Sequence, residues 1–361
     1  MLECLPPPES AAAFSPMQHG LIENGTAPPG PPPPPPMAAS SPETTTIDLS
    51  HAYAAAVLQT NSFKEMVRIT SSMDLLAVAD HGQSHSGMLA QVLDPNRDCV
   101  LDALQRSKST STSLFNLNSC YFQYSEETTS LCLTLRIIVA KARRLYCPID
   151  TLLCEIPIDS LSPSHCDLVF QEFRKFNAEP NPFPRPDSHT FDGIRDHFSD
   201  LRRQLDRRLR KSSSRIHLVR PPAAEPNSLC CGGGAAITAY IPPRFVKREL
   251  AYAAQLKVAT RNTYILKTDL DTLDSLVSRL HNTVEDDKRS IQTGLNMGND
   301  QHTVQELLKQ LGKNHQNMGN FLDLLEQKIT TCFNTINRSR SQLLEKILLH
   351  QTSSGSSHHS Q

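Results

Sequence analysis

The chain has 361 residues, enough for one large or two ordinary domains with a real core. Its 36 Lys and Arg residues offset 37 Asp and Glu residues, a formal charge of −1 that argues against a dedicated nucleic-acid binder. Aromatic content is only 6 % and Trp is absent, which disfavours base-stacking platforms and aromatic-rich β folds.

Half of the chain's 26 prolines fall in residues 1–45, including the unbroken run Pro31 to Pro36. Such a run favours an extended, solvated polyproline helix. Residues 1–47 therefore read as a disordered proline-rich head, with a ligand for a proline-binding module as the sharper alternative. The N-terminus lacks the basic start and apolar run of a signal peptide, so the sequon Asn24-Gly25-Thr26 is expected to be inert. The ten cysteines show no dense framework spacing, and most read as small buried hydrophobes in a reducing compartment.

A helical region is expected over residues 48–220. His51 to Val78 carries apolar residues at helical spacing, with Phe63, Met66, Val67 and Thr70 on one side, and Asp80-His81-Gly82 reads as a stop. A second helix over Ser86 to Leu93 ends before Pro95. Leu114 to Leu153 reads as helix with Leu131, Leu135, Ile138 and Ala142 on one face, although Ile137-Ile138-Val139 leaves a strand as the minority reading. A break over Pro157 to Pro163 precedes a short amphipathic segment, His165 to Phe176. After the rigid connector Asn181 to Pro186, Asp187 or Ser188 is expected to cap a helix with the stripe Phe191, Ile194, Phe198, Leu201, Leu205 and Leu209.

That helix also carries Arg202-Arg203, Arg207-Arg208 and Arg210-Lys211. A solvated helix face, an anionic membrane surface and nucleic acid remain open as readings of this basic stretch, with nucleic acid the weakest. Residues 221–243 form a Gly/Pro/Cys-rich junction. Its apolar run, Leu229 to Ile241, is shorter than the roughly 20 residues that a membrane-crossing helix needs. Cys230 and Cys231, beside the basic stretch, read as unmodified loop cysteines or as acceptors of reversible fatty acylation.

Beyond Pro243 there is no proline, and residues 244–349 carry the strongest pattern in the chain. Leu256, Ala259, Thr263, Leu266, Leu270, Leu273, Val277, Leu280 and Val284 advance alternately by three and four, a heptad seam. Gly294, Asn296, Gly298 and Asn299 interrupt it. It resumes at Val304, Leu308, Leu311, His315, Met318, Leu322, Leu325, Ile329, Cys332 and Ile336, then Leu343. Two long helices joined by a short turn predict an antiparallel α-hairpin, its first arm running from Val246 to Gln292, about 70 Å at ~1.5 Å per residue. The polar members Thr263, His315 and Cys332 are candidates for fixing register, and His315 reads as a packing residue rather than a ligand. A hairpin leaves apolar surface for the N-terminal helices or another subunit to cover. Residues 350–361 read as a disordered tail.

The fold class expected is thus all-α, an elongated helical bundle with a long C-terminal coiled-coil-like hairpin. No catalytic constellation appears: there is no HExxH, GxSxG, GxGxxG or P-loop pattern. Gly232-Gly233-Gly234 lacks the Lys-Ser/Thr of a phosphate loop. Asp80, His81 and His85 lack a fourth ligand, and Cys147, Cys154, His165 and Cys166 lack zinc-site spacing. The expectation is a structural or protein-interaction protein with no catalytic, cofactor-binding or metal-binding residue and no cofactor, a peripheral membrane adaptor attached through the basic helix and an enzyme of unrecognised class being the alternatives. Partners are expected to be proteins meeting helical surfaces, including a second copy, with an anionic membrane surface as the alternative.

Three ordered strings carry a resemblance. They are Phe170-Gln-Glu-Phe-Arg-Lys-Phe-Asn-Ala-Glu-Pro-Asn-Pro-Phe183, Leu201-Arg-Arg-Gln-Leu-Asp-Arg-Arg-Leu-Arg-Lys-Ser212, and the heptad-bearing stretch Ala259 to His281. From roughly His51 to Leu349 the chain resembles the plant family of uncharacterised proteins catalogued as UPF0496, related to integrin-like plant membrane proteins. The resemblance implies a helical, coiled-coil-bearing protein without established catalytic activity, and it supplies no active-site residues. Members commonly place transmembrane segments between the basic helix and the long heptad helix. The short run Leu229 to Ile241 departs from that pattern, so a cytoplasmic or peripheral-membrane location is expected.

Overall fold

The structure, a computed structural model, describes residues 61–76, 85–108, 112–219 and 243–355, all within the unit His51–Gln361. Among the described residues every regular element is an α-helix. These are α1 (Asn61–Leu76), α2 (His85–Val92), α3 (Arg97–Lys108), α4 (Thr112–Glu155), α5 (Pro163–Ala178), α6 (Asp192–Val219), α7 (Pro243–Met297) and α8 (Gln301–Gly355). The proline-rich head, Asp80-His81-Gly82, the Gly232–Gly234 run, Cys230, Cys231 and the run Leu229 to Ile241 lie outside the described residues.

The two longest helices are set by their apolar rows. Every apolar seam residue expected in α7 and α8 is buried, Leu273 being 1 % exposed. Asn262 Nδ2 donates to the Ser339 carbonyl (3.2 Å), Gln255 Nε2 to the Lys346 carbonyl (3.3 Å) and Asn314 Nδ2 to Asp287 Oδ1 (3.0 Å). In each pair one residue number rises as the other falls by the same amount, so α7 and α8 run antiparallel in one register. Each has 55 residues, roughly 82 Å at ~1.5 Å per residue.

Their connection is tighter than the sequence suggests. The helix continues through Gly294 and Asn296 to Met297, leaving Gly298, at φ 118°, with Asn299 and Asp300 for the turn. Gly294 sits within α7 and faces α8. A Cβ there would lie 2.0 Å from Leu307 Cδ1, so any side chain at this position would require the Leu307 side chain to shift. Asp300 starts α8 by accepting from the amides of His302 and Thr303, both at 3.0 Å. At the far end α8 runs to Gly355, past the expected boundary at 349. His350 is buried, and Gln351 Nε2 donates to the Ala103 carbonyl (2.7 Å).

The remaining helices cover what the pair leaves open, so the apolar faces are closed within one chain. Helix α4 is 44 residues long and passes through Pro148; the strand reading of Ile137-Ile138-Val139 is overturned because Val139 is a buried helical residue. It lies antiparallel to α8, as Arg143 to Asp323 and Glu326, and Arg340 to Ser125, establish. Helix α6 lies antiparallel to α7 through Arg195 with Asp274 near one end and Ser212 with Glu249 near the other. Where α6 stops, α5 and its following loop take over the same flank of α7, Asn181 Nδ2 donating to Glu285 (2.8 Å) and Lys288 Nζ to the Asn177 carbonyl (3.0 Å). The result is an elongated all-α bundle around one continuous core, with α4 and α7 on opposite sides of it. Helices α1 to α3 close the outer groove between α4 and α8.

Two local expectations are corrected, and one cap that was not expected is found. Asp187 and Ser188 do not cap α6. They lie in a turn closed by the Ser188 amide donating to the Arg185 carbonyl (3.0 Å), and the chain then passes through His189, at φ 53°, before the helix starts at Asp192. Helix α5 has the true cap: Ser162 Oγ accepts from the His165 amide (3.2 Å), His165 Nδ1 accepts from the Ser162 amide (3.4 Å), and Pro163 fills the first helical position. The described cysteines are free thiols, but only Cys132, Cys166 and Cys332 are buried, so most of them are not core residues.

Candidate interaction surface

Polar groups meet inside the bundle at three levels. Near the turn, Tyr146 Oη of α4 donates to Asp287 Oδ2 of α7 (2.7 Å) across the centre, while Asn314 of α8 donates to the other carboxylate oxygen. Burial raises the Asp287 carboxyl, and the two donated hydrogen bonds only partly oppose it. Tyr146 is raised as well, by burial and then by the neighbouring carboxylate. His315, next along α8, is half-buried with Nε2 against Asp150 of α4, which agrees with a packing role.

At the middle level Arg340 is fully buried. Its guanidinium donates to the Phe122 carbonyl (3.1 Å), Ser125 Oγ (2.7 Å) and the Pro95 carbonyl (3.0 Å), stands 5.2 Å from the Phe122 ring centre, and has Glu126 at 3.5 Å. Burial lowers its pKa against the pull of Glu126. At the open end of the α7–α8 pair, Asn118 Nδ2 of α4 donates to Gln255 Oε1 (3.1 Å), and Gln255 Nε2 meets His350 Nδ1 (2.9 Å). Burial and then Arg248 lower His350.

These contacts occupy the atoms that make them, and a donor bonded across the core is unavailable to a substrate. Of the seam residues expected to fix register, none makes the decisive bond. Thr263 and Cys332 are buried, and Cys332 turns its thiol on Cys132 of α4. That hydrogen bond, with burial, pushes the Cys332 thiol well up, the opposite of a reactive cysteine. Among the described residues no group of three His, Cys, Asp or Glu side chains is placed to hold a metal ion, and Cys147, Cys154, His165 and Cys166 are not brought together as ligands.

The surface is where charge and apolar area are free. On α6 the apolar stripe faces inward, and Arg203, Arg207, Arg208, Arg210, Lys211 and Arg215 are exposed. Arg203 pairs with Asp200, Arg215 approaches Glu249 at 3.8 Å, and Arg202 lies 4.8 Å from the Tyr264 ring centre. A shallow hollow of about 600 Å³ runs between Asp200, Asp206, Arg203, Arg207 and Arg210. Another, about 680 Å³, lies between α4 and α5, with Lys141, Lys175, Pro148 and Phe176 on its walls. Neither gathers a nucleophile, a base and an oxyanion donor. Among the described residues no helix is long and apolar enough to cross a membrane.

No family model matches the chain, and no solved structure does. UPF0496 protein At3g19250 of Arabidopsis thaliana is 38 % identical over 337 residues, covering 85 % of this chain and 91 % of that protein. UPF0496 protein At1g20180, from the same plant, is 24 % identical over 369 residues, covering 84 % and 91 % respectively. With such identity to the first sustained along nearly its whole length, the chain belongs to the plant UPF0496 family.

Proposed function

We propose that this protein is a non-catalytic helical scaffold whose α7–α8 pair is an antiparallel coiled-coil-like hairpin offering its outer faces to other proteins, a second copy included. The observation that carries the reading is the use of the buried polar groups. Tyr146, Asp287, Asn314, Gln255, Asn118 and Arg340 are bonded to one another or to backbone across the core, so recognition falls to the outside of the bundle. Exposed Leu168 on α5 and Tyr264 and Met297 on α7 are apolar area available to such contacts. The three-four spacing of buried residues along both arms supports the coiled-coil geometry.

The test is chemical cross-linking with mass spectrometry on the full chain, alongside sedimentation across a wide concentration range. The expected result is a concentration-dependent rise in mass, with intermolecular cross-links on the outer faces of α5, α7 and α8. A strict monomer at every concentration would remove self-association. Reproducible turnover in a metabolite screen, lost in a folded Tyr146→Phe variant, would remove the scaffold reading itself.

A further inference from the structure

Sequence order separates α6 from α7 and α8, yet the fold brings one end of each together. Ser212 Oγ donates to Glu249 Oε1 (2.9 Å), tying the last turns of α6 to the first turns of α7. Gln255 meets His350 (2.9 Å), tying those same turns of α7 to the end of α8. The cations of α6 are therefore joined at one pole by a second set that the basic stretch of α6 alone does not reveal. Arg208, Arg210 and Lys211 stand on α6, Arg244, Lys247 and Arg248 on α7, and all six are exposed. None of the six forms an ion pair among the described residues. Glu249, the acid best placed to offset them, is 8 % exposed and spent on Ser212 and Arg215. The chain as a whole carries only a formal −1, so this positive pole is local.

Apolar side chains stand exposed at the same pole. Phe245 (41 %) lies between the α7 cations in sequence and Leu250 (50 %) two residues beyond the last of them, and Leu348 and Leu349 are exposed near the end of α8. The combination selects the partner. Phosphate on a nucleic-acid duplex would answer the cations but leave phenylalanine and leucine in water. A bilayer bearing anionic headgroups answers both, because the long cationic side chains stay at headgroup level while short apolar ones enter the acyl boundary.

We infer that this pole is a docking surface for an anionic membrane, with Arg244, Lys247 and Arg248 of α7 and Arg208, Arg210 and Lys211 of α6 holding the headgroups and Phe245 and Leu250 wedging between them. The inference goes beyond the scaffold reading and does not depend on it. It needs neither self-association nor a protein partner.

The test is co-sedimentation of the full chain with phosphatidylcholine vesicles, with and without phosphatidylserine, and a short DNA duplex as the competing polyanion. Binding is expected only where phosphatidylserine is present. It should fall steeply as salt rises from about 0.1 to 1 M, which shortens the screening length from ~10 to ~3 Å. Replacing Arg244, Lys247 and Arg248 together by Gln should weaken it about five-fold per charge, on the order of 100-fold in all. Phe245→Ser with Leu250→Ser should weaken vesicle binding roughly ten-fold while leaving any contact with the duplex unchanged. All five positions are exposed, so helicity should hold; the α6 triple Arg208→Gln, Arg210→Gln, Lys211→Gln repeats the charge test on a separate helix. Equal binding to neutral vesicles, or unaltered binding by both charge variants, overturns the proposal. So does a Phe245/Leu250 variant that binds vesicles like the parent while the charge variants lose the duplex, since that outcome assigns the pole to nucleic acid.

Discussion

Arg340 occupies the place that the seam of α8 skips, between Ile336 and Leu343, and it is buried as completely as either. The interval is legible in the sequence as a missing leucine. What fills it is not, because its partners Pro95, Phe122 and Ser125 lie more than two hundred residues earlier. A buried guanidinium costs several kcal/mol to desolvate, and its hydrogen bonds must return that. Arg340→Met keeps much of the packing but strands those acceptors, so a loss of about 3–5 kcal/mol is expected in urea unfolding. Arg338→Met, two residues away and exposed, should stay within about 0.5 kcal/mol. Equal effects would mean that Arg340 is not held as described. Asp287 carries a pH signature. Its carboxyl is raised in the folded state, so the folded protein holds that proton more tightly than the unfolded chain does. Stability referred to this group is therefore greatest below the ordinary carboxylate range and declines as pH rises through the raised value. Relative to Asp287→Asn, the parent should lose stability as pH rises from the ordinary carboxylate range through the raised folded-state value. Parallel stability curves for the two proteins across that range would contradict the assignment.

At the scale of elements, the long arms were legible because one row of apolar residues keeps its spacing over many turns, and that row is the buried one. Leu273→Asp, on that row at 1 % exposure, should cost about 2–4 kcal/mol through lost packing and a desolvated charge. The comparison belongs with exposed Ser275→Asp rather than with Asp274, whose carboxylate is engaged by Arg195 of α6. Thermal unfolding that treats Leu273→Asp and Ser275→Asp alike would take Leu273 out of the core. Helix α3 was missed, although Asn96 accepts from the Cys99 amide (2.9 Å) and Val100, Ala103 and Leu104 are buried. Twelve residues give too few turns for a row to stand out. The expected cap at Asp187 or Ser188 failed differently. Either residue type can cap, and the choice fell to the turn geometry around His189, which composition does not encode.

For the whole molecule, the helical class and the family were readable from periodicity and from long ordered strings, whereas adjacency was not. Nothing in the pattern of α6 says that its C-terminal turns meet the first turns of α7, or that α5 continues the flank that α6 leaves. Those adjacencies are marked by polar pairs such as Ser212 with Glu249 and Asn181 with Glu285, set beside the shared apolar core. The positive pole was half legible for the same reason. The Arg-rich run of α6 stands out in sequence, while Arg244, Lys247 and Arg248 acquire meaning only once the fold places them beside it.

The shared register of α7 and α8 also governs where the chain can change length. Deleting one residue between Gln255 and Asp287 would turn everything beyond it by about 100° and carry either the Gln255 or the Asp287 contacts off the core face. A two-turn, seven-residue deletion would nearly restore the face, yet it would still part Asp287 from Asn314 unless α8 lost the same seven. At Gly298, Asn299 and Asp300 the constraint vanishes, since residues added there lengthen the loop without moving any pair along the arms. Insertions in relatives should therefore gather at the turn, and changes within the arms should come as matched steps on both.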